Sequence, residues 1–225
     1  RSIWDKLIDL AIWVYLSTWI TIYLLPAFGL SHAYGAFSIV GLTASAGLFE
    51  QWNGAVKLIS DFEGDNITNY YLILPIKSWM VFLAYMIFFA INTGVLMIGV
   101  IPLCKLLFWN HFSLAQCNLF YFSVLFICTC IFFAAFTIWL AAMVKDMEHI
   151  GSIWMRFIFP LWFLGGFQFT YQVLAEVSPW LARLNLLNPL MYAMEGMRGA
   201  VLGTAGYLNI WLCASMWLIF SILFG

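Results

Sequence analysis

The chain is 225 residues long, 65% hydrophobic and 20% aromatic, with nine Lys/Arg against ten Asp/Glu for a formal net charge of −1. Only 8% of its residues are charged, where a soluble domain carries roughly 25%, so it cannot clothe a water-facing surface and its solvent is largely lipid. A charge balance this close to neutral, with no basic run, excludes a nucleic-acid partner.

A membrane crossing needs about 20 mostly apolar residues. Six stretches answer to that: 7–28, 33–56, 79–103, 117–143, 150–171 and 207–225. The expectation is an all-α polytopic membrane protein, one domain over residues 1–225, with six transmembrane helices and both termini on one side. The first stretch is long enough to cross and no small-residue cleavage site follows it, so it does not read as a signal peptide. The chain opens at Arg1 and ends at Gly225 within an apolar run, as trimmed ends would. Orientation follows from Lys and Arg in short loops. Arg1, Lys6, Lys57, Lys77, Lys145 and Arg156 would lie on one side and Lys105, Arg183 and Arg198 on the other. The termini are therefore expected in the cytoplasm, in the inner membrane of a cell.

Small and hydroxyl residues gather in the first three stretches: Ser17, Thr18 and Thr21; Ser38, Gly41 and Ser45; Asn92, Thr93 and Gly94. They serve either close helix packing or the wall of a polar pathway. Glu50 is the one carboxylate well inside the apolar pattern, near the cytoplasmic end of the second stretch, where it is expected to hydrogen-bond.

Between the second and third stretches lies DNITNYYLILPIKSW, residues 65–79. Gly64 breaks the chain, and Asp65 or Asn66 can cap a following helix. Pro75 lacks an amide hydrogen and biases Leu74 away from helix, so the helix ends there. Ile67, Tyr70, Tyr71 and Leu74 recur at i, i+3, i+4 and i+7, which is one apolar face. Nine residues make a rod of roughly 13 Å, less than half the hydrocarbon thickness of about 30 Å. It must lie along the interface or dock on another protein, and the acidic residues before it complement its dipole.

Cys104 and Cys117 flank one outer loop and could pair in an oxidising compartment; Cys128 and Cys130 point apart on a helix and read as apolar filler. Asp146, Glu148 and His149 form a solvated turn, and no metal site is expected. Near the outer end of the fifth stretch, Gly165 and Gly166 offer a bend. Ser178-Pro179 and Asn188-Pro189 each read as a cap followed by proline at the first helical position. Trp180 and Tyr192 fall on the two short helices that follow, near 179–187 and 189–202. Glu195 and Arg198 are i, i+3 neighbours, suited to a mutual salt bridge or to lining a route for cargo.

These two non-spanning regions together resemble the membrane subunit of a type-2 ABC exporter, over nearly the whole chain. In NPLMYAMEGMR, Pro189, Leu190, Tyr192 and Arg198 match the family's proline–leucine–x–tyrosine run with its following arginine. LGGFQF followed by SPWL resembles the glycine bend and the proline–tryptophan–leucine step before it. YYLILPIKSW resembles the apolar run that ends in Pro75. The family's glycine–threonine before that run is out of register, and the proline after the bend is absent near Thr170.

The resemblance implies that the helix near 66–74 is a cytoplasmic coupling helix, built from Asp65, Asn66, Ile67, Tyr70, Tyr71, Leu74 and Pro75. It implies that Gly165, Gly166, Pro179, Trp180, Pro189, Tyr192, Glu195 and Arg198 belong to a pair of outer re-entrant helices. It further implies a homodimer or paired permease working with an ABC ATPase that carries ATP and Mg. This chain has no GxxxxGK[ST] loop and no Gly-Lys pair, so it is expected to bind no cofactor and not to be an enzyme; hydrolysis would fall to another polypeptide or a trimmed domain. The alternative, an ion- or proton-coupled secondary transporter or channel, needs ionisable groups at membrane depth, and His32, His111 and His149 form no relay with Glu50. Twelve Trp, ten Tyr and 22 Phe could stack on sugars or anchor at interfaces, leaving a glycan, a lipid-linked molecule or a hydrophobic drug as cargo.

Overall fold

The computed structural model describes residues 3–24, 33–107, 116–144 and 146–224, and all regular structure among them is helical. Arg1, His32, His111, Lys145 and Gly225 lie outside the described residues, as do positions 25–28 of the first apolar stretch.

Helix α1, Ile3–Trp19, loosens into a π turn over Ile20–Leu24. Helix α2, Ala33–Glu63, runs unbroken for 31 residues, about 46 Å, and so extends past the end expected at 56. A short α3, Ile67–Ile73, follows, then α4, Ser78–Leu107, and α5, Leu119–Met143. Helix α6 occupies 150–164 and is composite, with a π segment at Trp154–Ile158 between two α-helical pieces. Pro160 explains the widening: it has no amide for the Arg156 carbonyl and its ring crowds that turn. Three more helices, α7 at Tyr171–Val177, α8 at Pro179–Asn185 and α9 at Pro189–Leu202, precede α10 at Ile210–Phe224.

Among the described residues, three helices are long and apolar enough to cross a membrane: Trp4–Leu24, Ser78–Leu107 and Leu119–Met143. The protein is therefore a multi-pass membrane protein. Helix α2 has the length, but its small and polar residues lower its hydropathy. Helix α6 stops at Leu164, seven residues short of the expected end at 171, because Gly165 and Gly166 turn the chain. Gly166 sits at φ +84°, left-handed backbone that favours glycine.

Helix α2 is the axis of the bundle. Every residue from Ser38 to Leu48 is buried, and α4, α5 and α9 all pack on it. Gly47 makes that approach possible, since a Cβ there would lie 2.5 Å from Met97 Sδ and 2.7 Å from Phe133 Cε2. Of the apolar window of α5, 61% is buried, against 28% for α4 and 22% for α1, so α5 is interior and the other two lie at the periphery of the bundle. On α5 and α10, Phe132 meets Trp217 edge-on at 4.2 Å.

Most polar side chains that enter this core are satisfied, as low-dielectric surroundings require; the buried Trp217 indole N–H has no partner among the described residues. Gln51 of α2 donates to Phe89 O at 3.2 Å and to Thr93 Oγ1, and accepts from Thr137 Oγ1. It thereby ties three helices together. Thr18, Ser38, Gly41, Ser45 and Thr93 all lie in buried helix contacts, which fits packing. Cys104 and Cys117 are both free thiols, and Cys104 Sγ lies 3.6 Å from Thr18 Oγ1, so the bridge between them is not formed.

Candidate functional site

Helix α3 is anchored from behind by α2. Asp61 accepts from the Ile67 and Thr68 amides at 2.9 and 2.8 Å, satisfying two of the free N–H groups of the first turn. The capping carboxylate thus comes from the preceding helix and not from Asp65 or Asn66. Asn66 occupies the N-cap position in left-handed geometry, φ 54°, without a side-chain cap bond; its amide donates to Gly64 O and its Oδ1 accepts from Asn69. Thr68, fully buried, bonds the Tyr85 hydroxyl of α4 at 2.9 Å. The helix ends at Ile73, with Leu74 extended before Pro75.

The face that carries the apolar stripe points the other way. Ile67, Tyr70, Tyr71 and Ile73 are exposed, Ile73 at 80%, and Leu74 is half-buried. A cleft of about 420 Å³ opens beside Tyr71 and Ile76 and continues to Met80 and Phe88. At the end of α2, Glu63 accepts from the Met147 amide at 2.7 Å, which places the α5–α6 turn on the same side as α3. In that turn Asp146 caps Met147–His149, accepting from the His149 amide at 3.2 Å and from its ring. Those bonds hold the exposed Asp146 carboxyl below its usual range, the His149 side chain foremost. No group of residues suited to a metal ion occurs among the described residues.

Helix α9 is the opposite case: every residue from Pro189 to Val201 is buried. Asn188 caps it, accepting from Leu190 N at 3.0 Å while donating to Leu161 O at 2.7 Å. Ser178, by contrast, precedes Pro179 without a side-chain cap bond. Trp180 is exposed on α8, and the Tyr192 hydroxyl donates to Leu186 O at 2.8 Å.

Glu195 and Arg198, both fully buried, spend their hydrogen bonds on distant backbone. Glu195 accepts from Tyr171 N at 3.1 Å and Leu208 N at 3.2 Å, joining the start of α7 to the approach to α10. Arg198 donates to Gly166 O at 2.5 Å, Phe167 O at 2.7 Å, Phe169 O at 3.4 Å and Phe37 O at 3.2 Å. Its guanidinium also lies 3.5 Å from the Phe37 ring centroid, a cation–π contact. The expected mutual salt bridge is replaced by two clamps. Arg198 satisfies the carbonyls that the Gly165–Gly166 bend turns loose, and Gly41 leaves the space it needs, since a Cβ there would sit 2.6 Å from Nη2.

Sequence reasoning missed the partner of Glu50. Lys6 donates to Glu50 and to Asn92, and Asn92 donates to Glu50, in a cavity of about 520 Å³ that Asp9, Trp13, Asn53 and Lys57 also line. Nothing in the spacing could have found it, for the three lie on α1, α2 and α4. A run of aromatic contacts leads away from this cavity. Phe49 meets Trp13 at 5.3 Å and Trp162 at 5.5 Å, and Trp162 meets Phe167 at 4.8 Å. Helix α7 was missed too; Thr170, which caps it by accepting from Val173 N at 3.2 Å, was its only local signal.

The chain is thus a helical, multi-pass membrane protein with an outward-facing short helix on one side and a buried, charged one within the bundle. The chain belongs to the ABC-2 type transporter family, which it matches over residues 6–202. The match covers both short-helix regions and ends with α9. No curated protein and no solved structure matches the chain.

Proposed function

We propose that this chain is the permease subunit of an ATP-driven exporter, one membrane domain over residues 1–225 that works as a pair, with ATP and Mg held by a separate ABC ATPase. The observation that carries the reading is the division of labour on α3. Its polar side is bonded into α2 and α4, while Ile67, Tyr70 and Tyr71 stand exposed. An ATPase seated on those rings would push a rigid handle. Asp61 would pass the motion to α2, Tyr85 to α4, and the Glu63–Met147 contact to the α5–α6 turn.

In this reading α1, α2, α4, α5, α6 and α10 cross the inner membrane, α7 to α9 re-enter from outside, and both termini are cytoplasmic with α3. The aromatic run from Trp13 to Phe167 supports a cargo that stacks, a glycan or lipid-linked molecule ahead of a hydrophobic drug. The alternative, an ion- or proton-coupled carrier, would have to use Lys6 and Glu50, which satisfy each other together with Asn92.

Tyr71→Asp tests the docking. The variant should insert normally but lose the co-purifying ATPase or the coupling of its hydrolysis to transport; wild-type ATPase yield with unchanged transport would remove α3 from that role. Single cysteines placed at Gly64 and at Glu176, both exposed, should label from opposite sides of the membrane, and labelling from one side would overturn the topology.

A further inference from the structure

Two clefts meet at Arg156. One, about 460 Å³, is walled by Val144, His149, Ser152 and Arg156. The other, about 310 Å³, runs between α6 and α8 and is walled by Pro160, Leu164, Leu181, Leu184 and Leu187. Arg156 and Phe157 border both. Together they form a groove with a polar, cationic mouth and an apolar trough.

Arg156 is exposed and makes no hydrogen bond or ion pair with the described residues. No Asp or Glu lines either cleft, and Asp146, the neighbouring carboxylate, is engaged with His149. A cation on a membrane helix is costly without an anion and marks a functional position. Arg156 sits within the π segment at Trp154–Ile158.

Depth fits a lipid of one leaflet. Arg156 lies six residues beyond the start of α6, about 9 Å, and Pro160, at the head of the trough, is about 6 Å further. One leaflet contributes about 15 Å of hydrocarbon. The guanidinium can therefore snorkel to the head-group border while the leucine-lined trough follows the chain below.

We propose that this groove binds an anionic phospholipid of the leaflet on the α3 side, its phosphate on Arg156 and one acyl chain in the trough between α6 and α8. A free anion would leave the trough empty, and a zwitterionic lipid would bring a second cation to a mouth that has no carboxylate to receive it. The site needs no ATPase, so its failure would leave the exporter reading untouched.

Native mass spectrometry of the purified full chain tests it, with phosphatidylglycerol and phosphatidylcholine of identical acyl chains added in neutral detergent. Wild type should retain phosphatidylglycerol preferentially. Arg156→Gln should weaken that retention about fivefold, the effect of one cation near an anionic head group, and abolish the preference; Arg156→Lys should restore it. Leu184→Trp, which fills the trough, should lower retention of both lipids. Equal retention of the two lipids by wild type would overturn the proposal without recourse to any variant. So would a preference that survives Arg156→Gln, or displacement of phosphatidylglycerol by inorganic phosphate alone.

Discussion

Helices α3 and α9 are both too short to cross a bilayer, yet they solve opposite problems. In its seven residues α3 buries Thr68 alone and turns its rings outward. In its fourteen, α9 buries all but the last and turns its charges inward, onto the backbone of other segments. The first is attached to the bundle by a few bonds at one edge; the second is clasped by α2, α5 and α10. In the proposed reading the surface of tyrosine and isoleucine outside the bundle is completed by the ATPase, whereas the buried carboxylate and guanidinium are completed within the chain. Damage at α3 should therefore separate function from folding, and damage at α9 should not.

The largest effect is expected at Arg198. Arg198→Ala strands the carbonyls of Gly166, Phe167 and Phe37 in a low-dielectric interior and leaves the bend without its clamp. Breaking a buried, bonded charge costs about 3–5 kcal/mol, so the variant should show a large fall in yield and in melting temperature in detergent. Arg198→Lys keeps the charge but not the planar fork, and should recover only part. A variant that melts like wild type would show that α9 is held by packing alone.

Gly41→Ala should come next. The new methyl would press on a guanidinium already fixed by carbonyls, an overpacking of about 1–3 kcal/mol. The sharper measurement is a double-mutant cycle, since neighbours that share a contact are not additive. In an Arg198→Ala background the Gly41 change should cost almost nothing. Full additivity would mean that the two residues do not meet.

Local signals located both short helices. Gly64 and Pro75 bracket α3, and Asn188-Pro189 marks the start of α9 within one residue. What spacing could not supply was the partner of each charge. The cap of α3 comes from Asp61 because left-handed Asn66 folds the chain back, so a residue six positions away reaches the Ile67 amide. Arg198 reaches Phe37, 161 residues distant, and Lys6 reaches Glu50 across 44. An i, i+3 pair looks self-sufficient on a helix drawn alone; inside a bundle, loosened carbonyls of a glycine bend compete for the same guanidinium and win. The end of α6 was misplaced for a related reason. Apolar residues continue through Phe167 and Phe169, so hydropathy carries the stretch past the bend that Gly165 and Gly166 mark.

The smallest effect, and the most local, belongs to Asp61. The Thr68 hydroxyl first, then the Thr68 and Ile67 amides, hold its carboxyl below the usual range, against slight desolvation. A group whose folded pKa is depressed stabilises the fold above the ordinary carboxylate range and loses that contribution as pH falls through the lowered value. Asp61→Ala should therefore cost about 1 kcal/mol, the usual loss of a helix cap, at neutral pH and almost nothing at strongly acid pH, where wild type has lost the same charge. Because α3 hangs on one edge of the bundle, the loss should appear as faster hydrogen exchange at the Ile67 and Thr68 amides, with global melting nearly unchanged. If those amides keep wild-type protection at neutral pH, Asp61 does not join α3 to α2. If melting falls as far as in Arg198→Ala, α3 is as deeply embedded as α9, and the contrast between them disappears.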